Sequence, residues 1–325
     1  MCTRTVYLGL DDMVVTGRNM DWAEDLRTNL WLFPRGMPRD GGIDAHSITW
    51  RSRFGSVVAA GYDVGTADGI NEKGLVANAL YLTDSDYGRP DGSKPTLSVG
   101  AWAQYVLDNY ATVEETVTAL RSEPFIVVAP TLPDGRAASV HLSISDASGD
   151  SAVFEYLRGV LTIHHDRAYQ VMTNSPVFEE QLALNSYWEQ VGGMTMLPGT
   201  NRAADRFVRA SFLIGAVTKT ADAREAVATS FAVMRALGVP PGVAVENQPS
   251  LFNTVWRTVA DQKNRVYYYE HVLSPGALWV KLADLDFKPG SGVRTLRLAH
   301  RYDVIGDATA RFTRARPFQF LALAA

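Results

Sequence analysis

Residues 1–22 read Met-Cys-Thr-Arg-Thr-Val-Tyr-Leu-Gly-Leu-Asp-Asp-Met-Val-Val-Thr-Gly-Arg-Asn-Met-Asp-Trp, and this stretch decides the fold. Over residues 5–10, Val6, Leu8 and Leu10 alternate with their neighbours and fall on one face of an extended chain. Asp11-Asp12 is a turn signal, and residues 13–18 form a second extended run. Two such runs across a short turn predict a hairpin, so the chain opens as a sheet.

Working outward, residues 29–33, 47–50, 56–61 and 75–82 read as further strands, separated by Pro-Arg-Gly and Asp-Gly turn signals. The period turns helical over 97–110. A second helix starts at Thr112, where Glu115 three residues on makes a capping box and Val113, Val117 and Leu120 recur at helical spacing. Strand patterns return over 125–129, 140–145, 152–157, 161–165 and 169–173. In the second of these, Val140, Leu142 and Ile144 alternate with polar neighbours, as in a half-buried, antiparallel strand. Helical patterns cover 175–190, 201–219 and 221–237, and strands 252–260, 265–271 and 277–282 follow. With no internal repeat or linker, the order sheet, helices, sheet, helices, sheet predicts an α+β protein in layers, one domain over 1–325.

Composition narrows the function. The 325 residues are 46% hydrophobic and 20% charged, with 31 Lys+Arg against 35 Asp+Glu and a net charge of −4. That profile excludes disorder, collagen and coiled coil, and it offers no basic face for nucleic acid or anionic lipid. The longest apolar runs, 125–129 and 320–325, fall short of the ~18 residues of a spanning helix, so no membrane role is expected. Residues 1–12 lack the pattern of a secretory signal, which predicts a cytoplasmic protein, or a periplasmic one if a leader once preceded them. One cysteine, Cys2, excludes an internal disulfide and any zinc site built on several thiolates. Six histidines form no HExxH, and His164 and His165 would point to opposite faces of a strand, so neither metal nor cofactor is expected. The sequence has no G-x-S-x-G elbow, G-x-G-x-x-G or Walker loop.

Cys2 stands out by position. Removal of an initiator Met is favoured before a small residue, and it would leave Cys2 with a free α-amine beside its thiol. Their reference pKa values, about 7.7–8.0 and about 8.5, let the amine take the thiol proton near neutral pH. A small buried hydrophobe is the other reading of a lone cysteine. In the segment Gly17-Arg18-Asn19-Met20-Asp21-Trp22, the hairpin would bring Arg18 and Asp21 to face Cys2: a guanidinium favours thiolate, and a carboxylate can hold the amine. A surface ion pair is the alternative. In Thr173-Asn174-Ser175-Pro176 a strand ends before a helix, where the Asn174 amide can donate to a developing oxyanion or serve as a turn residue. Asn71-Glu72-Lys73-Gly74 leads into the strand that carries Tyr81, whose backbone N–H is a second candidate donor and whose ring could equally face the core. Arg206, on a helix, reads as a solvated side chain.

As a set, Met1-Cys2-Thr3, Arg18 to Trp22, Asn71 to Leu75, Thr173 to Pro176 and Arg206 to Arg209 resemble, over nearly the whole chain, the choloylglycine hydrolase family within the N-terminal-nucleophile hydrolases. That family contains bile salt hydrolases and penicillin V acylases. The resemblance implies a four-layer αββα fold and hydrolysis of a linear amide in a small-molecule N-acyl amine through a thioester on Cys2. It places Arg18 against the sulfur and Asp21 against the amine, makes an oxyanion hole of Asn174 and the Tyr81 N–H, puts Arg206 in the polar network and suggests a homotetramer. The run 21–34 is more like the penicillin acylase branch, some of whose members cleave acyl-homoserine lactones, than like the bile salt hydrolases. Trp22 and Tyr81 then become candidate walls of an acyl pocket, although core packing accounts for the same two residues. A bile salt hydrolase, or a non-catalytic small-molecule-binding or thiol-sensing protein on the same scaffold, is the alternative.

Overall fold

The computed structural model describes residues 1–243 and 252–323. Strands β1 (Cys2–Leu8) and β2 (Val14–Trp22) form the opening hairpin, followed by β3 (Leu30–Phe33) and the short pair β4 (Pro38–Asp40) and β5 (Thr49–Arg51). Strands β6 (Ser56–Gly61), β7 (Gly65–Asn71) and β8 (Val76–Tyr81) come next, and β9 (Thr96–Ser98) runs into α1 (Val99–Asn109) and α2 (Val113–Leu120). After β10 (Ile126–Val128) come β11 (Val140–Ser145), β12 (Ser151–Leu157), β13 (Val160–His165) and β14 (Val171–Met172), then α3 (Phe178–Val191), α4 (Ala203–Ala216) and α5 (Ala223–Ala236). The remaining strands are β15 (Asn253–Asp261), β16 (Val266–His271), β17 (Leu278–Lys281), β18 (Arg294–Leu296), β19 (Gly306–Asp307) and β20 (Thr313–Arg314).

These strands make two large sheets, of seven strands in the order β14-β1-β2-β15-β16-β17-β19 and of nine in the order β13-β12-β11-β8-β7-β6-β3-β18-β20. The sheets face each other. Bonds cross between them from Arg4 Nη2 to Ile144 O (3.1 Å), between the hydroxyls of Thr16 and Ser145 (2.8 Å) and from Arg18 Nη2 to Ala79 O (3.0 Å). On the outer face of the nine-stranded sheet, Phe33, Val58, Ala77, Leu142 and Phe154 pack against Trp102, Val106 and Val117 of α1 and α2. Helices α4 and α5 cover the seven-stranded sheet through Phe207, Ile214, Phe231 and Val233, with α3 docked beside them through Phe178. The layers are therefore αββα. Helix α5 comes unusually close to β2 because Gly17 has no side chain: a Cβ there would lie 2.7 Å from Met234 Cγ.

Several boundaries differ from the sequence expectation. The first strand begins at Cys2 and ends at Leu8; Leu10 lies in the turn, exposed, because Asp11 and Asp12 adopt left-handed backbone (φ 49° and 57°). The second strand continues through Asp21 to Trp22, which puts the whole 17–22 segment in the sheet. Strand β7 was not expected, because its sequence, Gly-Thr-Ala-Asp-Gly-Ile-Asn, is short of β-branched residues and its Asp68-Gly69 reads as a turn. It is a central strand, and Gly69 is needed there: a Cβ would meet Val58 Cγ1 at 2.6 Å and Val57 O at 2.8 Å. Helix α3 starts at Phe178 rather than at residue 175. No helix among the described residues is long and apolar enough to cross a membrane.

Candidate active site

The hairpin register sets Cys2 opposite Met20, Thr3 opposite Asn19 and Arg4 opposite Arg18. Side chains alternate along β1 and β2, so Cys2, Arg4, Thr16, Arg18 and Met20 point between the sheets, while Thr3, Thr5, Asn19 and Asp21 point toward the helices. The fully buried Cys2 thiol thus lies 3.6 Å from Arg18 Nη2 and 3.7 Å from Met20 Sδ. Arg18 is itself fully buried. Its guanidinium carbon lies 4.6 Å from the centre of the Trp256 ring and its Nη1 is 3.9 Å from Asp68 Oδ2, so charge and π-face hold it in the interior. Burial raises the Asp68 carboxyl above the usual carboxylate range, against the opposing pull of Arg18 and of bonds from Tyr267 and Asn78.

A second group gathers around the Cys2 backbone. Cys2 N–H donates to Asn174 Oδ1 at 2.5 Å, and Asn174 Oδ1 also accepts from Arg206 Nη2 at 2.9 Å. Arg206 Nη1 donates to Cys2 O at 2.6 Å and to Thr3 Oγ1, and lies 3.7 Å from Asp21 Oδ2. The expectation of a solvated Arg206 is therefore corrected: the side chain is completely buried, and burial lowers its pKa while Asp21 opposes. Asp21 Oδ1 accepts from Thr254 Oγ1 at 2.6 Å, whereas Asp21 Oδ2 is buried and accepts no hydrogen bond among the described residues. The Met1 amine donates to Asp21 O at 2.6 Å, and burial lowers its pKa from 8.0 to about 6.

The site opens where two strands part. Pairing of β7 with β8 stops at Asp68 opposite Asn78, so the next stretch of β8 has no β7 partner. Side chains take its carbonyls instead: Ala79 O accepts from Arg18, and Tyr81 O accepts from Asn174 Nδ2 at 2.5 Å. The Tyr81 N–H lies on the same strand edge as its carbonyl. From this gap extends an apolar cleft lined by Cys2, Met20, Trp22, Leu26, Tyr81 and Leu132 among others. Trp22 packs edge-on to Tyr81 at 5.8 Å between centroids, and its indole N–H donates to Asp134 Oδ2 at 2.9 Å and to Tyr62 OH at 3.1 Å. The two aromatics expected as pocket walls therefore both line the cleft beside Cys2.

Sequence reasoning missed a supporting network. The fully buried His141 contacts Glu155 Oε1 through Nδ1 and Thr173 O through Nε2, each at 2.9 Å. Glu155 also accepts from the Phe178 N–H at 3.1 Å, which ties the start of α3 to the same point. Burial alone would raise the Glu155 carboxyl, but the His141 contact, His164 at 3.6 Å and the Phe178 N–H together outweigh it and hold it down at about 2. Gln181 Nε2 bonds the carbonyls of Asn174 and Pro176, and Thr173 Oγ1 donates to Gln181 Oε1 at 2.8 Å. A charged Glu155 inside the apolar run Ala152 to Leu157 was the available signal. On the α2 side, Glu114, Asp150 and His165 bring ligand-type atoms within 4.8 Å of one another, with His165 Nε2 2.8 Å from Asp150.

The profile of the linear amide C–N hydrolases of the choloylglycine hydrolase family matches residues 2–292. A penicillin V acylase from Pectobacterium atrosepticum is 46% identical over 347 aligned residues, covering 99% of this chain and 92% of the relative. The solved structure of a penicillin V acylase from Agrobacterium tumefaciens is 51% identical and superimposes with a TM-score of 0.93, covering 99% of this chain and all of the other. A conjugated bile acid hydrolase from Clostridium perfringens, at 22% identity and a TM-score of 0.78 over 94% of this chain, shares the fold. The layered sheets and the family match make this protein an enzyme that hydrolyses linear amide C–N bonds, on an N-terminal-nucleophile hydrolase fold. Within that class the chain belongs to the choloylglycine hydrolase family.

Proposed function

We propose that the enzyme cleaves N-acyl amines of the penicillin V or acyl-homoserine lactone type, with Cys2 as nucleophile once Met1 is removed. The observation that carries this reading is a buried thiol facing a guanidinium at 3.6 Å, at the inner end of an apolar cleft, with its own main-chain nitrogen held by Asn174. The freed amine takes the thiol proton, and the sulfur attacks the acyl carbon. One N–H of the Asn174 amide is held by Tyr81 O; the other, with the Tyr81 N–H, donates to the tetrahedral oxyanion. The ammonium passes its proton to the departing nitrogen as the C–N bond breaks. Water, activated by the same amine, then splits the thioester, releasing the acid and restoring the thiol. Asp21 Oδ2, an unused buried acceptor, suits the ammonium N–H, and Arg206 fixes Asn174 and the Cys2 carbonyl.

The apolar lining with three aromatic rings, of Trp22, Tyr62 and Tyr81, favours an aromatic or fatty acyl group over a steroid. The same reading carries the expected tetramer, for which Leu184, Tyr187, Met194 and Met196 offer exposed apolar side chains, and sedimentation measures it. Intact mass, a Cys2→Ala variant and a panel of penicillin V, a conjugated bile salt and a long-chain acyl-homoserine lactone test the proposal. Expected are a chain lighter by one methionine, a folded but inactive Cys2→Ala protein, and the bile salt as poorest substrate. Full turnover by Cys2→Ala would refute Cys2 as nucleophile, whereas retained Met1 with no turnover of any of the three substrates would favour the binding or thiol-sensing alternative.

A further inference from the structure

The two sheets alone do not close the cleft. Its lining runs from Cys2, Arg18 and Ala79 between the sheets to Val64, Gly65, Gly100 and Leu321, where the β6–β7 turn meets the start of α1. There two glycines stand back to back: a Cβ on Gly65 would lie 2.9 Å from Gly100 Cα, and one on Gly100 would lie 2.9 Å from Val64 O. This approach leaves only backbone at those two positions. A side chain from a distant part of the sequence, Leu321, completes the wall, so close that a Cβ on Gly100 would touch its Cβ at 3.5 Å.

Leu321 is firmly placed. Its N–H donates to Val64 O at 2.7 Å, and its carbonyl accepts from Ser98 Oγ at 2.5 Å, the residue that also caps α1. Just before it, Phe318 packs edge-on to Trp31 (5.3 Å) and Phe33 (5.7 Å), and Phe320 lies against Trp50 (6.5 Å). Aromatic anchors of this kind hold a segment in register, so the leucine presents a fixed surface to whatever enters the cleft.

We infer that Leu321 is a specificity-determining residue whose side chain sets the length of acyl group the cleft admits. The inference rests on the reading of the Cys2 site as an N-acyl amide hydrolase. It names what the far wall meets: the apolar end of the acyl chain. One methylene too many or too few in an apolar pocket changes kcat/KM about 10- to 200-fold, so a wall built from one leucine is enough to select chain length.

The test is kcat/KM of the full chain across a straight-chain series of N-acyl-homoserine lactones, butanoyl to tetradecanoyl, for wild type, Leu321→Ala and Leu321→Trp. Leu321→Ala should move the optimum to acyl groups about two or three carbons longer and raise kcat/KM on them roughly tenfold. Leu321→Trp should move it the other way, losing about tenfold at the wild-type optimum while the shortest acyl group stays within about threefold of wild type. These opposite shifts are what a purely structural leucine cannot produce, and the Trp variant decides alone if the Ala variant does not fold. Variants that alter all chain lengths by one common factor, or in the same direction, overturn the inference while leaving the amide-hydrolase reading intact. A wild-type enzyme inactive on the whole series, on penicillin V and on bile salt overturns both.

Discussion

Replacing Glu155 with Gln tests the network behind Asn174. Both ring nitrogens of His141 face acceptors, Glu155 Oε1 and the carbonyl of Thr173, each at 2.9 Å, so a proton must lie in each contact. The carboxylate is the partner that makes this possible, and its pKa falls from 4.5 to about 2 in the folded protein against the opposing effect of burial. At about 1.4 kcal/mol for each tenfold change in proton affinity, the native state gains roughly 3 kcal/mol from the ionised Glu155. The native value lies below the unfolded one, so the unfolded chain binds more protons between them. The gain is therefore complete above about pH 4.5 and is lost as pH falls toward about 2. Urea unfolding of wild type and Glu155→Gln at neutral pH and at steps down to the acid limit of folding measures the difference. Glu155→Gln should be less stable by roughly 3 kcal/mol at neutral pH, and the gap should close through that acid window. Because Thr173 adjoins Asn174, kcat should also fall with little change in KM. A gap between the two proteins that stays constant at every pH would refute the ion-pair reasoning.

Two further outcomes follow from the same geometry. Asn174→Ala should fold and lose about 10²- to 10³-fold in kcat on any cleaved substrate, checked by steady-state kinetics beside a thermal melt; a loss confined to KM would assign Asn174 to ground-state binding instead. If the α-amine is the base, burial of the kind that lowers the neighbouring Met1 amine lowers the freed Cys2 amine as well, so kcat/KM should fall along an acid limb that lies below the ordinary α-amine range of about 7.7–8.0. An acid limb near 4 would point to a carboxylate base.

How much of this was legible depends on what a pattern reports. The hairpin of β1 and β2 could be read from alternation and a turn, and with it the meeting of Arg18 and Cys2. Alternation in β11 was also real, yet its polar face does not meet water: Ser145 bonds Thr16 and His141 bonds Glu155, both between the sheets. Period 2 says that two faces differ, not which one is solvated. Arg206 was misjudged for a related reason. It sits at helical spacing from Ala203, Ala210 and Ile214, on the buried stripe of α4, so its position already placed it inside; only its charge argued otherwise. Strand β7 was hidden because its burial comes from both neighbours and both layers rather than from its own side chains.

These misses share one cause, and it bears on how such a site can exist at all. An apolar layer between two sheets would leave Arg18 and Arg4 without partners, and an unpaired buried charge is among the costliest features a fold can hold. Here the interlayer gives Arg18 the Ala79 carbonyl, freed where β7 leaves β8, with Asp68 beside it, and gives Arg4 the carbonyls of Ile144 and Tyr169 and the hydroxyl of Ser151. The end of one strand pairing thus does two things together: it gives Arg18 the Ala79 carbonyl that keeps it beside the sulfur, and it opens the gap through which an acyl group reaches that sulfur. Such a coincidence depends on where pairing stops. It is a property of two strands and their register, which no single stretch of sequence encodes.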